Sequence, residues 1–156
     1  MSLQLDIARS HLETLIERVT GMPKAVADDQ GDYLITTDYA SFLARVDGTD
    51  KPIIRMYSVI VKDVPKSNEL LDAINDINTK LAFLRAMWVN DYVLIETETL
   101  AMTTAPDDFL EMSMRILQAS DFFGPTISKQ FGGTPSFQNS RTDQTPSVEP
   151  ERPGYL

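Results

Sequence analysis

Cysteine is absent from this sequence, and histidine occurs once, at His11. Without cysteine the chain cannot form a disulfide, use a thiolate nucleophile or bind a metal ion through sulfur. A catalytic triad or a zinc site needs more than one isolated histidine, and His11 lies at the border of the apolar face of a predicted helix. The acidic turn DDQGD at 28–32 lacks the oxygen spacing of a calcium loop. We therefore expect no metal site.

Glycine-rich phosphate motifs and long apolar runs are missing as well. Neither GxGxxG nor GxxxxGK followed by Ser or Thr occurs, so no cofactor is expected. The N-terminus has no charged region followed by an apolar run, and no stretch reaches the length of a membrane span. These features predict a soluble, cytoplasmic protein with no membrane contact.

Basic residues are scarce relative to acidic ones. The chain has 14 Lys and Arg against 23 Asp and Glu, which gives a formal net charge of -9. Recognition of a phosphate backbone needs clustered Lys and Arg that replace counterions. Nucleic acid is therefore not an expected partner, and the charge is typical of a solvated acidic surface.

The stretch 52–100 supplies most of the predicted core. Residues 53–61 are apolar on both alternating faces, which predicts a central strand covered on both sides. After Pro65 the apolar period becomes helical, with Ser67 as the expected N-cap. The inward face of this second helix carries Leu70, Leu71, Ile74 and Ile77, and its outward face carries Asn68, Asp72, Asn75 and Asp76.

A β-hairpin is predicted next. The runs 81–89 and 92–99 are joined by Asn90-Asp91, a pair that tolerates the positive φ angles of a two-residue turn. Pairing Val89 with Tyr92 places apolar residues opposite one another and sets Arg85 opposite Glu96. Hydrophobic pattern, turn and charge thus favour one register.

The flanking regions complete the predicted order. A first helix ends at Gly21 and Pro23, and strands follow at 33–37 and 41–46, with Val46 expected opposite Pro52. A third helix is expected from Pro106, with Thr104 as its cap. Its apolar stripe is wider than one sheet face can bury, and it comprises Phe109, Leu110, Met112, Ser113, Ile116, Leu117 and Ser120, extended by Met114 and Phe122.

The composition changes near residue 130. Residues 131–156 are rich in Pro, Ser, Thr and Gln and lack periodicity, so we assign 1–130 to a single folded domain and 131–156 to a flexible C-terminal tail. The alternative is that Phe131, Phe137 or Tyr155 docks onto the body as an internal mimic of a peptide ligand.

The order helix, three strands, helix, two strands, helix, together with DDQGDY, AINDINTKL and the hairpin after it, resembles the YbjN family. That family is similar in fold to the type III secretion chaperones, and the resemblance covers roughly residues 5–133. It implies a single-domain α+β fold with an antiparallel sheet, a homodimer, and peptide binding or regulation of sensory transduction without catalysis. The chaperones commonly pair through the second helix, whereas here that helix is polar outward, so its use for pairing is not expected.

Two classes of function stay open from the sequence. The first is a non-catalytic, chaperone-like or regulatory module that binds a protein or peptide, with adaptable contacts. The second is a small acid/base enzyme that uses carboxylates in a cleft. Methionines at these spacings are more often core residues, so the binding assignment depends on exposure. The candidate binding residues are Met56, Met87, Trp88, Met112 and Met114.

Overall fold

A computed structural model describes residues 2–137. The elements are α1 (Leu3–Thr20), β1 (Tyr33–Thr36), β2 (Ser41–Asp47), β3 (Ile53–Lys62), α2 (Asn68–Asn78), β4 (Arg85–Val89), β5 (Tyr92–Leu100), α3 (Pro106–Phe131) and β6 (Thr134–Pro135). The predicted α+β class and the order of the first eight elements are confirmed. The ninth element, β6, lies in the stretch that the sequence assigns to the tail.

The strands form one antiparallel sheet in the order β1-β2-β3-β5-β4, and β6 pairs with the end of β3. Its inner face is lined by Ile54, Met56, Ser58 and Ile60 of β3, all fully or almost fully buried. The Cα of Gly124 in α3 approaches Ile60 so closely that an added Cβ would lie 3.0 Å from its carbonyl oxygen. α3 therefore covers the inner face, and α1 packs beside it through Ala8, Leu12, Leu15 and Ile16.

The hairpin register is the predicted one. Val89 pairs with Tyr92, Trp88 with Val93 and Arg85 with Glu96. Asn90 and Asp91 adopt φ angles of 49° and 66°, as a two-residue turn between twisted strands requires. β4 begins only at Arg85, because Lys80 and Leu81 still donate backbone hydrogen bonds to Ile77 at the end of α2.

The predicted register between β2 and β3 is wrong by two residues. Val46 lies opposite Ile54 and not opposite Pro52. Pro52 has no N–H to donate to a strand partner, and its carbonyl oxygen instead accepts a bond of 3.0 Å from the amide of Ala101. A shift of two residues keeps every side chain on the same face, and Phe42, Ala44, Ile54 and Met56 are all buried on the inner face.

Of the two N-cap residues predicted for α2 and α3, one is correct and one is wrong. Ser67 caps α2, since its Oγ accepts a bond of 3.1 Å from the amide of Leu70. The N-cap of α3 is Ala105 and not Thr104. The Thr104 hydroxyl donates to the carbonyl of Leu100 at 2.7 Å, so it is not available for capping.

Candidate functional site

On the face of the sheet opposite the helices, the β3 side chains are only half-buried. This outer face carries Ile53, Arg55, Tyr57 and Val59 on β3, and the residues opposite them on neighbouring strands. Leu34 at its β1 end and Leu100 at its β5 end are 58% and 56% exposed. Apolar side chains therefore surround a charged centre.

A continuous row of ion pairs forms that centre. Arg55 Nη2 contacts Glu98 Oε1 at 2.6 Å, and Arg55 Nη1 contacts Asp47 Oδ2 at 3.1 Å. Each end continues through a second arginine. The full row runs from Asp32 through Arg45, Asp47, Arg55 and Glu98 to Arg85 and Glu96. Because its members lie on successive strands, the row fixes the charged side chains across the sheet.

The row also affects titratable groups. The hydrogen bond to Glu98 is the main cause that raises the pKa of Arg55, so the guanidinium stays charged. Burial raises the pKa of Tyr57, and the negative charge of Asp32 adds to this effect. Both groups keep their protons at neutral pH, so the charges of Arg55 and Tyr57 do not change there.

An open pocket of about 240 Å³ lies where the row meets β4. Phe83, Leu84, Arg85, Glu96, Thr97 and Glu98 line it. Phe83 has a φ of 63° and its side chain is 71% exposed. The backbone is held by its carbonyl oxygen, which accepts a bond of 2.7 Å from Thr97 Oγ1. The strained backbone therefore projects an aromatic ring into solvent beside the pocket.

The outer side of α3 carries three exposed apolar residues among polar ones. Leu110, Met114 and Phe122 are 43%, 41% and 43% exposed, and their spacing places them on the side of the helix away from the sheet. We call these three residues the outward row. The opposite side of α3 is buried through residues such as Phe109, Ile116 and Ile127, which hold the outward row on a rigid support.

The five residues predicted from the sequence do not form one site. Met56 is fully buried in the inner face of β3, and this rules it out as a surface contact. Met112 is half-buried and packs against the core, with its Sδ 3.9 Å from Thr97 Oγ1. Met87 lies half-buried on the outer face of β4. Met114 belongs to the outward row of α3.

Trp88 is half-buried and has a structural partner. Its indole Nε1–H donates a hydrogen bond of 2.9 Å to the carbonyl oxygen of Val64. The Lys66 ammonium lies 5.8 Å from the ring centroid, within the range of a cation–π contact. Part of the ring thus supports the fold, and part of it remains accessible.

His11 joins two helical regions. Its Nε2 lies 2.9 Å from the carbonyl oxygen of Thr104, at the entry to α3.

The acidic segment 28–32 is a turn in which Asp28 Oδ1 accepts bonds from the amides of Gln30 and Asp32. Within residues 2–137, no group of three or more His, Asp or Glu side chains is arranged to hold a metal ion.

The sequence missed two features of these surfaces. Phe83 was part of a predicted strand, and only its position between the polar end of α2 and the start of β4 could have indicated an irregular connection. The sequence placed Leu110 within the wide apolar stripe of α3 but did not identify it as one of the exposed members of that stripe. A wheel with the most buried residues at its centre would have placed Leu110 with Met114 on the outward side.

The arrangement of one antiparallel sheet and three helices is the fold of type III secretion chaperones. A chain of the ExsC–ExsE complex superposes with a TM-score of 0.61 at 15% identity, covering 81% of this chain and 97% of its own length. The structure of the Yersinia pestis chaperone SycH with a fragment of YscM2 gives 0.55 at 14% identity, covering 72% and 96%. The HopA1–SchA chaperone–effector complex gives 0.55 at 12% identity, covering 79% and 97%.

The sequence itself assigns the family. Residues 6–139 match the family of type III secretion (YopN, CesT) and YbjN peptide-binding chaperones, TY-Chap1, and the chain belongs to it. The resemblance to YbjN proteins and the expectation of a protein- or peptide-binding module are thereby confirmed. No curated protein matches the sequence.

The acid/base enzyme receives no support from the family. The two carboxylates that converge on the pocket, Glu96 and Glu98, both contact arginine side chains.

Among residues 2–137, no helix is long and apolar enough to cross a membrane.

Proposed function

We propose that this chain binds an extended segment of a client protein against the outward row of α3. The observation that carries this proposal is the exposure of Leu110, Met114 and Phe122 on one side of a helix whose other side is fully packed. Single exposed apolar residues are ordinary, but three along one side of a rigid helix form a contact surface. The description of the family as peptide-binding chaperones supports a peptide as the occupant.

The side chains of the outward row suit a client of variable sequence. Met114 is unbranched and polarisable, so it can adapt to differently shaped partners, whereas Phe122 supplies a flat apolar surface. The carboxylates of Asp107 and Asp108 lie in the first turn of the same helix, whereas that of Glu111 is paired with Arg115 at 2.8 Å. Together with the net charge of -9, they favour a client segment that combines apolar residues with Lys or Arg.

Other parts of the expected function remain predictions. The homodimer implied by the resemblance, a regulatory role and the cytoplasmic location belong here, as does non-catalytic action. Met87, Trp88 and Met112 stay candidates for secondary contacts, since each is half-buried. Cell fractionation with an antibody against the chain would test the location directly.

The test uses a library of immobilised 15-residue peptides that differ in apolar and basic content. Met114→Asp places a charge in the outward row without opening a hole in the core, because Met114 is 41% exposed. Asn75→Asp is the matched control, since it makes the same charge change at an exposed position on the polar side of α2.

We expect the wild type and Asn75→Asp to bind the same peptides, and Met114→Asp to lose at least tenfold in affinity while its circular dichroism spectrum is unchanged. Equal binding by all three proteins would remove the outward row from the proposed function. Light scattering on the same samples separates peptide binding from self-association.

A further inference from the structure

β3 has one strand edge that two different segments share. β5 pairs with β3 from Ile53 to Val61, with an irregularity between Val59 and Val61, but β2 pairs only with the residues from Ile53 to Tyr57. Beyond them, Val61 pairs with Pro135 and Lys62 with Thr134 of β6. The last part of this edge is therefore completed by the C-terminal end of the described chain.

The C-terminal segment, residues 133–137, lies tightly on this edge. The Ser136 amide donates a bond of 3.0 Å to the carbonyl oxygen of Ile60, and Phe137 packs against the core. Gly133 has a φ of 81°, and a Cβ there would lie 2.6 Å from the Lys62 carbonyl oxygen and 2.9 Å from Val61 Cγ1. Only glycine can start the segment in this position.

Residues 133–137 are nevertheless held by few contacts. β6 has only two residues, and the Ser136 Oγ is buried without a hydrogen-bond partner among the described residues. A segment held by so little pairing opens at a low free energy compared with the core strands. Gly132 links the segment covalently to α3, and Ser128 Oγ donates a bond of 2.8 Å to the Gly133 carbonyl oxygen. A segment tethered in this way rebinds at a high effective concentration, so occupation of the edge does not require tight binding.

We propose that the β3 edge is a second peptide-binding site, and that residues 133–137 occupy it as an exchangeable internal strand. An extended client segment would pair with Ile60 and Lys62 through its backbone and place an apolar side chain where Phe137 lies. While the internal strand is bound, the apparent affinity for a client falls by the fraction of molecules in which the edge is open. The inference rests on the proposed peptide binding for its client, but the internal strand can be tested alone.

The probe is a fluorescent peptide with the sequence of residues 132–140, GGTPSFQNS, and the protein is the full chain. Gly133→Val introduces a clash with the β3 backbone. Gly132→Val is its matched control, because Gly132 also has a positive φ, of 89°, but an added Cβ there meets no atom within 4 Å. Phe137→Ser loosens the segment without a clash and serves if Gly133→Val does not fold.

We expect Gly133→Val and Phe137→Ser to bind the probe at least tenfold more tightly than the wild type and Gly132→Val. Hydrogen exchange at the Ser136 amide should become at least tenfold faster in the two loosened variants. If Ser136 exchange accelerates but the probe binds no better, the edge is not a peptide site and the proposal is wrong. Unchanged Ser136 exchange in both loosened variants would show that the segment is a fixed part of the fold, which also overturns the proposal.

These outcomes are separate from those of the outward row. A failure of the proposed function appears as unchanged library binding by Met114→Asp, whereas a failure here appears at Ser136 and with the self-derived probe. The experiments can therefore refute one of the two proposed sites while supporting the other.

Discussion

Trp88 and Val64 are joined by the 2.9 Å hydrogen bond from the indole Nε1–H to the Val64 carbonyl oxygen. The amide of Val64 in turn donates to the carbonyl oxygen of Asp91 at 3.0 Å. Both backbone groups of this fully buried residue are thus bonded to the hairpin of β4 and β5. The connection between β3 and α2 is thereby fixed to the hairpin.

Replacing Trp88 should test this connection. Trp88→Phe keeps most of the packing but leaves the Val64 carbonyl without its donor, so we expect a loss of about 1 kcal/mol in unfolding free energy. Trp88→Ala also removes the ring and should cost about 2–4 kcal/mol. This is less than for a fully buried aromatic residue, because Trp88 is only half-buried. Urea denaturation measures both values, and an identical stability of wild type and Trp88→Phe would contradict the role of the bond.

Asn78 blocks the free edge of β4. Its Oδ1 accepts a bond of 2.7 Å from the Ala86 amide, and its Nδ2 donates one of 2.9 Å to the Ala86 carbonyl oxygen. Asn78→Asp cannot donate the second bond when ionised, so we expect a loss of about 1–3 kcal/mol and a greater tendency to associate through this edge.

Asn75→Asp is again the control, since it makes the same change on the same helix, about one turn earlier and on the polar outward face of α2. Urea denaturation and light scattering would show whether stability and solubility fall in Asn78→Asp alone. Equal behaviour of the two variants would mean that the edge does not depend on Asn78.

Tyr33 predicts the response to alkaline pH. Burial, together with the 2.7 Å hydrogen bond to Glu13, raises its pKa to about 12 from 10.0. Between these two values the unfolded chain loses the phenol proton and the folded chain keeps it. The stability due to this group is therefore complete below pH 10 and is lost as the pH rises toward 12.

Tyr33→Phe should show a shallower fall of unfolding free energy between pH 10 and 12 than the wild type. Tyr92→Phe, at a side chain that is 42% exposed, is the matched control and should follow the wild type. Denaturation at several pH values in this interval measures the slopes, and parallel curves for all three proteins would refute the assignment.

Arg55 is expected to stabilise the ion-pair row in a salt-dependent way. Arg55→Met removes the cation between Asp47 and Glu98 and should cost about 1 kcal/mol, because a network exceeds an isolated surface pair. Added salt should narrow the difference. Arg9→Met, at a half-exposed side chain whose contacts include Asp6, should change stability less than Arg55→Met in the same thermal and urea measurements.

Local patterns in the sequence determined most of the fold. The hairpin register followed from the Asn90-Asp91 turn and from the Arg85–Glu96 pair, since a one-residue slip would break both. The end of β3 was less predictable, because residues 133–137 have too few apolar positions to show a period, and their pairing depends on a strand edge far away in sequence. Tyr155 and the rest of the predicted tail beyond residue 137 lie outside the described residues.

The candidate surfaces were harder to predict than the core. The wide stripe of α3 correctly indicated that Met114 and Phe122 are exposed, but the same apolar character occurs in Met56, which is fully buried. Helical and strand periods give the face of a residue, whereas exposure depends on which other element covers that face. Only the folded structure therefore shows that Met56 is buried and Met114 is exposed.

Binding of an extended peptide is the central claim, and a fluorescence anisotropy titration of the tightest library peptide tests it most directly. The account predicts saturable binding by the full wild-type chain, competition by the unlabelled peptide, and at least a tenfold loss of affinity in Met114→Asp. If no peptide in the library binds saturably to the folded chain, or if the tightest one binds Met114→Asp equally well, the outward row of α3 is not a peptide-binding surface.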